Sequence, residues 1–214
     1  MIEFDELTHR RIIPVVVLND AESALPLADA LLAGGLPVAE VTLRTPAGIE
    51  GIRRMAASGD LLVGAGTVLT TDQVDAAADA GARFIVSPGL STPVVQRAAE
   101  HGLLVLPGVV TPTEIIAALD LGLTAVKFFP AGQYGGAATV KALSDPFRGV
   151  GFIPTGGISD ANLADYLALP QVLAVGGSWM VKPDLIDNGD FASITSLTKA
   201  AVATAAGVQD GSAS

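Results

Sequence analysis

Lys127 stands in the middle of an apolar run, TAVKFFPA at 124–131. A lysine is almost never fully buried unless something compensates it, so the run raises the question of what its ammonium is for. A second strand-like run, VAEVTLR at 38–44, carries Glu40 and Arg44. A lysine amine becomes a nucleophile when neutral, and an apolar setting disfavours its charged form. It then attacks a ketone or aldehyde to give an imine, and the protonated imine draws electrons from the adjacent C–C bond without a metal. Glu40 is the inward carboxylate of the strand readings and hence the proton shuttle. Arg44 supplies a fork for a carboxylate or phosphate. Each residue also has a plain structural reading: a Glu40–Arg44 contact, and a Lys127 that forms a salt bridge or snorkels. The three together favour chemistry.

Two glycine pairs follow, PTGGIS at 154–159 and VGGSWM at 175–180. Glycine lets backbone N–H groups approach an anion closely, and Ser178 adds a hydroxyl. One such pair is commonly a turn; two at the ends of adjacent strands point to phosphate. GAGT at 64–67 puts Thr67 near the same mouth, as substrate contact or turn, while SPG at 87–89 and PGV at 107–109 read as tight turns. Phe128, Phe129 and Trp179 read as packing, although Phe129 shares the lysine's face. The chain has two histidines, His9 and His101, in no metal-ligand spacing, and no cysteine, so a metal site is not expected. His101 reads as a helix-end or surface residue, and Asp184, Asp187 and Asp190 as a solvated loop.

These residues need a scaffold, and the scaffold has a period. Gly35, Gly59, Gly81, Gly102 and Gly122 recur at intervals of 20–24 residues, which calls for a repeat hypothesis and fits a helix–Gly–strand unit. Candidate strands cover 12–18, 38–44, 61–68, 84–89, 104–109, 125–130, 151–157 and 172–180, with Ala-rich helices between them. Asp72, Thr92, Thr111 and Ser159 are candidate helix caps, and Pro26 belongs in a first turn starting near Ser23. Eight near-equal units predict an α/β fold, a single (β/α)8 TIM barrel over 1–206 with residues 207–214 as a disordered tail. An open doubly wound sheet is the alternative. Alternation puts Val38, Glu40, Thr42 and Arg44 on one face of their strand, and Ala125, Lys127 and Phe129 on one face of theirs. Both sets are expected to point into the barrel, with Arg44 nearest its C-terminal mouth.

Composition narrows the function classes. Hydrophobic residues make up 50% and charged residues 16%, with mean hydropathy +0.53, which argues for a large core and against disorder. A net charge of −10 argues against nucleic acid. No apolar run reaches the roughly 18 residues of a membrane helix without interruption by Gly, Pro or charge. The N-terminal MIEFDELTHRRIIP lacks a signal-peptide pattern, so a cytoplasmic protein is expected.

The stretches EVTLRT (40–45), VGAGTV (63–68), SPG (87–89), LPGV (106–109), KFFPA (127–131), PTGGIS (154–159) and GGSW (176–179), in this order, resemble the KDPG/KHG aldolases, class I enzymes that work through a Schiff base. The match runs over nearly the whole chain, and EVTLRT with KFFPA and PTGGIS is specific. The resemblance implies that Lys127 forms the Schiff base and that Glu40 is the general acid and base, partly through a water. It implies that Arg44, Thr67 and Thr155 surround the pyruvate carboxylate, that Phe129 walls the site, and that Pro88 lies at its mouth. It implies that Gly156, Gly157, Gly177 and Ser178 hold a phosphate. It further implies no cofactor and no metal, a phosphorylated keto-acid substrate, a homotrimer, and a place in the Entner–Doudoroff pathway. Some relatives carry an arginine late in the first strand where this chain has Val17, which shifts phosphate binding towards the glycine loops. The expected activity is cleavage of 2-dehydro-3-deoxy-6-phosphogluconate to pyruvate and D-glyceraldehyde 3-phosphate. The galactonate epimer or 4-hydroxy-2-oxoglutarate is the alternative substrate. A phosphosugar epimerase or isomerase and a non-catalytic assembly subunit remain as rivals.

Overall fold

The computed structural model describes residues 4–211. A short helix α1 (Phe4–Thr8) leads into β1 (Ile12–Val16), α2 (Ala24–Ala33), β2 (Val38–Thr42), α3 (Ala47–Ser58) and β3 (Leu62–Gly66). Then come α4 (Thr71–Asp79), β4 (Phe84–Val86), α5 (Thr92–Glu100), β5 (Leu104–Leu106), β6 (Gly108–Val109) and α6 (Pro112–Asp120). The chain continues through β7 (Ala125–Phe128), α7 (Gly136–Ser144), β8 (Gly151–Pro154), α8 (Leu163–Leu167), β9 (Val175–Gly177), α9 (Pro183–Asp187) and α10 (Phe191–Gly211).

All registered strand pairs are parallel. The strands form a curled sheet in two parts, one of order β5-β4-β3-β2-β1-β9 and one of order β6-β7-β8. Isolated parallel bridges pair Phe152 with Val172 and Thr155 with Gly176. The segment expected as one strand over 104–109 is split at Pro107, which has no N–H to donate to a ladder. Its two halves serve different neighbours: β5 pairs with β4 and β6 with β7. Strands β1 and β2 are buried at every position, as a sheet covered on both faces requires.

The glycine period is a row of helix ends. Gly35, Gly59, Gly81, Gly102 and Gly122 all have positive φ, between 67° and 93°, the conformation in which a chain leaves a helix at least cost. The helix starts differ more from the expected caps. Thr111 caps α6 in a capping box with Glu114. The cap of α4 is Thr70, in a box with Gln73, while Asp72 sits in the first turn. Ser91 rather than Thr92 precedes α5, and Asn162 rather than Ser159 precedes α8. Pro26 lies in the first turn of α2, which begins after Ser23. Asp184 and Asp187 belong to α9, and Asp190 accepts from the Ser193 N–H at the start of α10.

Helix α10 departs from expectation at the tail. It continues through Gly211, so residues 207–211 are helical, as the Ala-rich sequence before them favours; 212–214 lie outside the described residues. Its window Phe191–Val208 has mean hydropathy 1.2, long and apolar enough by length and composition to cross a membrane. Its fully buried residues Ile194, Thr198, Ala201 and Ala205 recur every three to four positions, a single stripe. That stripe faces α2 and α8, with which the helix is in contact.

Candidate active site

Lys127 and Glu40 meet inside the sheet. The two residues are 5% and 3% exposed, and Lys127 Nζ donates to Glu40 Oε1 at 3.2 Å. The ammonium also lies 5.1 Å from the centre of the Phe129 ring, a cation–π distance. Both partners attract a cation, so the surroundings are less purely apolar than the sequence suggested. Of the structural readings, the salt bridge is the one present; Glu40 pairs with Lys127 rather than with Arg44. A buried ion pair contributes little net stability against a well-packed apolar replacement, so this pair is a poor candidate for scaffolding alone. Room for it comes from β3, where Gly66 stands so close that a Cβ there would lie 2.4 Å from Glu40 Oε1.

Arg44 lies just beyond β2, exposed at the C-terminal edge of the sheet. The turn carrying it is fixed on both sides. Thr42 Oγ1 donates to Val16 O at 2.9 Å, Thr45 Oγ1 donates to Leu18 O, and the Leu43 N–H donates to Gly66 O at 2.8 Å. Arg44 Nε in turn donates to Thr67 Oγ1 at 3.3 Å. Thr67 has φ of 59°, a strained conformation for a β-branched residue, of the kind that collects at functional sites. Among the described residues Arg44 belongs to no ion pair, so its guanidinium is available to an anion.

The loop after β8 is held from behind, one peptide after another. The Ala131 N–H donates to Thr155 O at 2.8 Å and the Gly132 N–H to Gly156 O at 2.9 Å. Asn162 Nδ2 donates to Gly157 O at 3.0 Å, while its Oδ1 accepts from the Ser159 N–H at 2.9 Å. In a trans peptide the carbonyl and the following N–H point opposite ways. Fixing three carbonyls therefore turns the following N–H groups to the other side: that of Gly156 faces Gly176 across the parallel bridge of Thr155 with Gly176, and those of Gly157 and Ile158 donate to no group among the described residues. Positive φ at Gly156 and Gly157, 94° and 77°, makes this curl possible. Successive free N–H groups of this kind form an anion-binding concavity.

A cavity of about 540 Å³ joins these parts. Arg44, Phe129, Thr155, Gly156, Gly157, Gly177 and Ser178 line it, and Arg44 is the one charged side chain on its wall. Lys127 and Glu40 are not on the wall; Lys127 Nζ adjoins it through the Phe129 ring, 5.1 Å away. Thr67 reaches the site through Arg44. Pro88 stands apart: its carbonyl packs against Gly108, where a Cβ would lie 2.1 Å away, and it is not on the wall. Val15, Val17, Pro130, Gln133, Ile158 and Pro183 complete the lining. Of these only Val17 had been singled out from sequence. Ile158 was detectable as the next N–H after the glycine pair, and Asn162 as a preferred cap residue. Gln133 left no sequence signal.

The geometry therefore brings together an amine, an adjacent carboxylate, a guanidinium and an array of neutral N–H donors. That set can form an imine, move a proton and hold two anionic groups. Residues 4–197 match the family model described as Aldolase: KDPG and KHG aldolase. The chain is 48% identical over 197 residues to the 2-dehydro-3-deoxy-phosphogluconate aldolase of Treponema pallidum (strain Nichols), covering 92% of this chain and 94% of the relative. It is 46% identical over 197 residues to the KHG/KDPG aldolase of Escherichia coli (strain K12), covering 92% of each. A crystal structure of KDPG aldolase from Legionella pneumophila, with pyruvate captured at low pH as a covalent carbinolamine intermediate, is similar with a TM-score of 0.90 at 41% identity. That match covers 94% of this chain and 98% of the other.

Proposed function

Because the chain belongs to the KDPG and KHG aldolase family, we propose that its activity is a Schiff-base cleavage run by Lys127 and Glu40. The protein is a lyase that cleaves 2-dehydro-3-deoxy-6-phosphogluconate to pyruvate and D-glyceraldehyde 3-phosphate. The observation that carries the residue assignment is the buried Lys127–Glu40 contact at 3.2 Å beside a cavity with one guanidinium.

The cycle balances around one proton. The Lys127 ammonium passes a proton to Glu40, and the freed amine attacks the C2 ketone. The carbinolamine forms, Glu40 returns its proton to the departing hydroxyl, and water leaves an iminium. Glu40, again a carboxylate, takes the proton of the C4 hydroxyl. The C3–C4 bond breaks, its electrons pass into the iminium to give an enamine, and the aldehyde product departs. Glu40 delivers that proton to C3, and water hydrolyses the resulting iminium to pyruvate, restoring the ammonium. Arg44, supported by Thr67, with Thr155 nearby, holds the substrate carboxylate and keeps C2 within reach of the amine. Phe129 walls the reacting carbon. The loop at Gly156 and Gly157, with Gly177 and Ser178, takes the phosphate through its free N–H groups, while Pro88 lies off the cavity wall and is assigned no contact. No metal or organic cofactor enters this scheme.

The same reading includes a closed (β/α)8 barrel, supported by the Thr155–Gly176 bridge on one side and by the shared segment around Pro107 on the other. It also includes a cytoplasmic homotrimer acting in the Entner–Doudoroff pathway, supported by the family resemblance. Cleavage of 4-hydroxy-2-oxoglutarate is the second reading, favoured by the double name of the Escherichia coli relative. Borohydride reduction in the presence of pyruvate tests the mechanism. A mass adduct on Lys127 is expected, and its loss in a folded Lys127→Ala variant. An unmodified Lys127 in well-folded protein overturns the mechanism.

A further inference from the structure

Gln133 is the one side-chain amide on the cavity wall. It is exposed, and among the described residues its side chain makes no hydrogen bond. It is also presented from a rigid turn. The Tyr134 N–H donates to Pro130 O and to Ala131 O at 3.3 and 3.2 Å, and the Gly136 N–H donates to Ala131 O at 2.9 Å. Its neighbour Gly132 donates to the carbonyl of Gly156, so the turn carrying Gln133 is joined directly to the phosphate-side loop. Gly132 also lies backbone to backbone with Gly157, where a Cβ on Gly157 would be 3.2 Å from the Gly132 Cα.

We propose that Gln133 is a specificity residue for the phosphate-bearing end of the substrate, donating its amide N–H to a phosphate oxygen; this rests on the cleavage reading above. Arg44 is the single cation of the wall, and the substrate carries two anionic groups. With the guanidinium engaged by the carboxylate, the phosphate depends on neutral donors. Phosphate oxygens only accept, and a carboxamide offers two N–H groups. The shorter dicarboxylate 4-hydroxy-2-oxoglutarate lacks the C6 phosphate and so offers this amide no phosphate oxygen.

The readout is the ratio of kcat/KM for the phosphorylated six-carbon substrate to that for 4-hydroxy-2-oxoglutarate. A hydrogen bond to a charged group predicts that Gln133→Ala lowers this ratio about tenfold, through KM of the phosphorylated substrate rather than kcat. Gln133→Glu, which places a carboxylate against the phosphate, is expected to lower it further, and Gln133→Asn to recover part of it. A ratio unchanged in Gln133→Ala, or a fall carried by kcat, overturns the assignment. The borohydride adduct with pyruvate separates the two levels. Its absence in the unsubstituted protein defeats the cleavage reading, whereas its presence with an unmoved ratio defeats only the role of Gln133.

Discussion

Gly66→Ala tests the catalytic pair without touching either member. Gly66 is outside the positive-φ glycines, so alanine fits its backbone. The new methyl would lie 2.4 Å from Glu40 Oε1, 2.7 Å from Cγ and 2.9 Å from Cδ, whereas ordinary contact for a Cβ begins at 3.4 Å. The carboxylate must therefore retreat by about 1 Å or force the strands apart. Glu40 now sits 3.2 Å from Lys127 Nζ, so a shift of that size removes the contact or rotates it out of line. Misplacement by about 1 Å costs on the order of 10²-fold in rate, equivalent to about 2.7 kcal/mol of barrier. Overpacking adds about 1–3 kcal/mol of lost stability. The assay is steady-state cleavage of 2-dehydro-3-deoxy-6-phosphogluconate, with circular dichroism and a melt to confirm a folded protein. The expected result is kcat down about hundredfold, with the pyruvate–borohydride adduct still accumulating on Lys127 at long times. A folded variant within twofold of the parent would refute the claim that Glu40 must stand where it does.

Thr198→Val is expected to stabilise the protein. Thr198 is fully buried against α2, and its hydroxyl is the one buried side-chain polar atom without a partner among the described residues. Replacing it by an isosteric methyl gains about 1 kcal/mol and raises Tm by about 2–4 °C; a lower Tm contradicts this. Glu114 gives a pH dependence. Burial pushes its carboxyl up, but the Val110 N–H and the hydroxyl and N–H of Thr111 outweigh that and hold it below 4.5. A depressed folded-state value stabilises the fold above the ordinary glutamate range and is lost as pH falls through the folded value. The Tm deficit of Glu114→Gln is therefore largest near neutrality and closes in acid; a deficit constant with pH contradicts the assignment.

The inward placing of Lys127 and Glu40 was legible because strand alternation is a local rule: each charged residue has apolar neighbours that choose the opposite face; their direct contact was not. The helix-end glycines were legible for a similar reason, since each answers to its own helix. What the sequence hid depends on partners far along the chain. The split at Pro107 arises because two neighbouring strands compete for one segment, which no local pattern records. Asn162 holds Gly157 O across five positions, and Gln133 reaches the cavity only because its turn is tied to the loop after β8. The resemblance puts Pro88 at the mouth; it lies off the cavity wall, its carbonyl in the space that Gly108 leaves by lacking a Cβ. The full helical extent of α10 was masked by a Gly-, Gln- and Ser-containing end that reads as coil.

On the proposed reading, a phosphate held by oriented peptides rather than by lysines has a kinetic consequence. The chain carries a net charge of −10, so an anionic substrate approaches against a repulsive far field. Added salt screens that field over about 8–10 Å at physiological ionic strength, while the short N–H contacts of the bound state are little affected. Moderate salt should then quicken encounter and leave the bound lifetime nearly unchanged, the reverse of an enzyme that collects its substrate with a basic funnel.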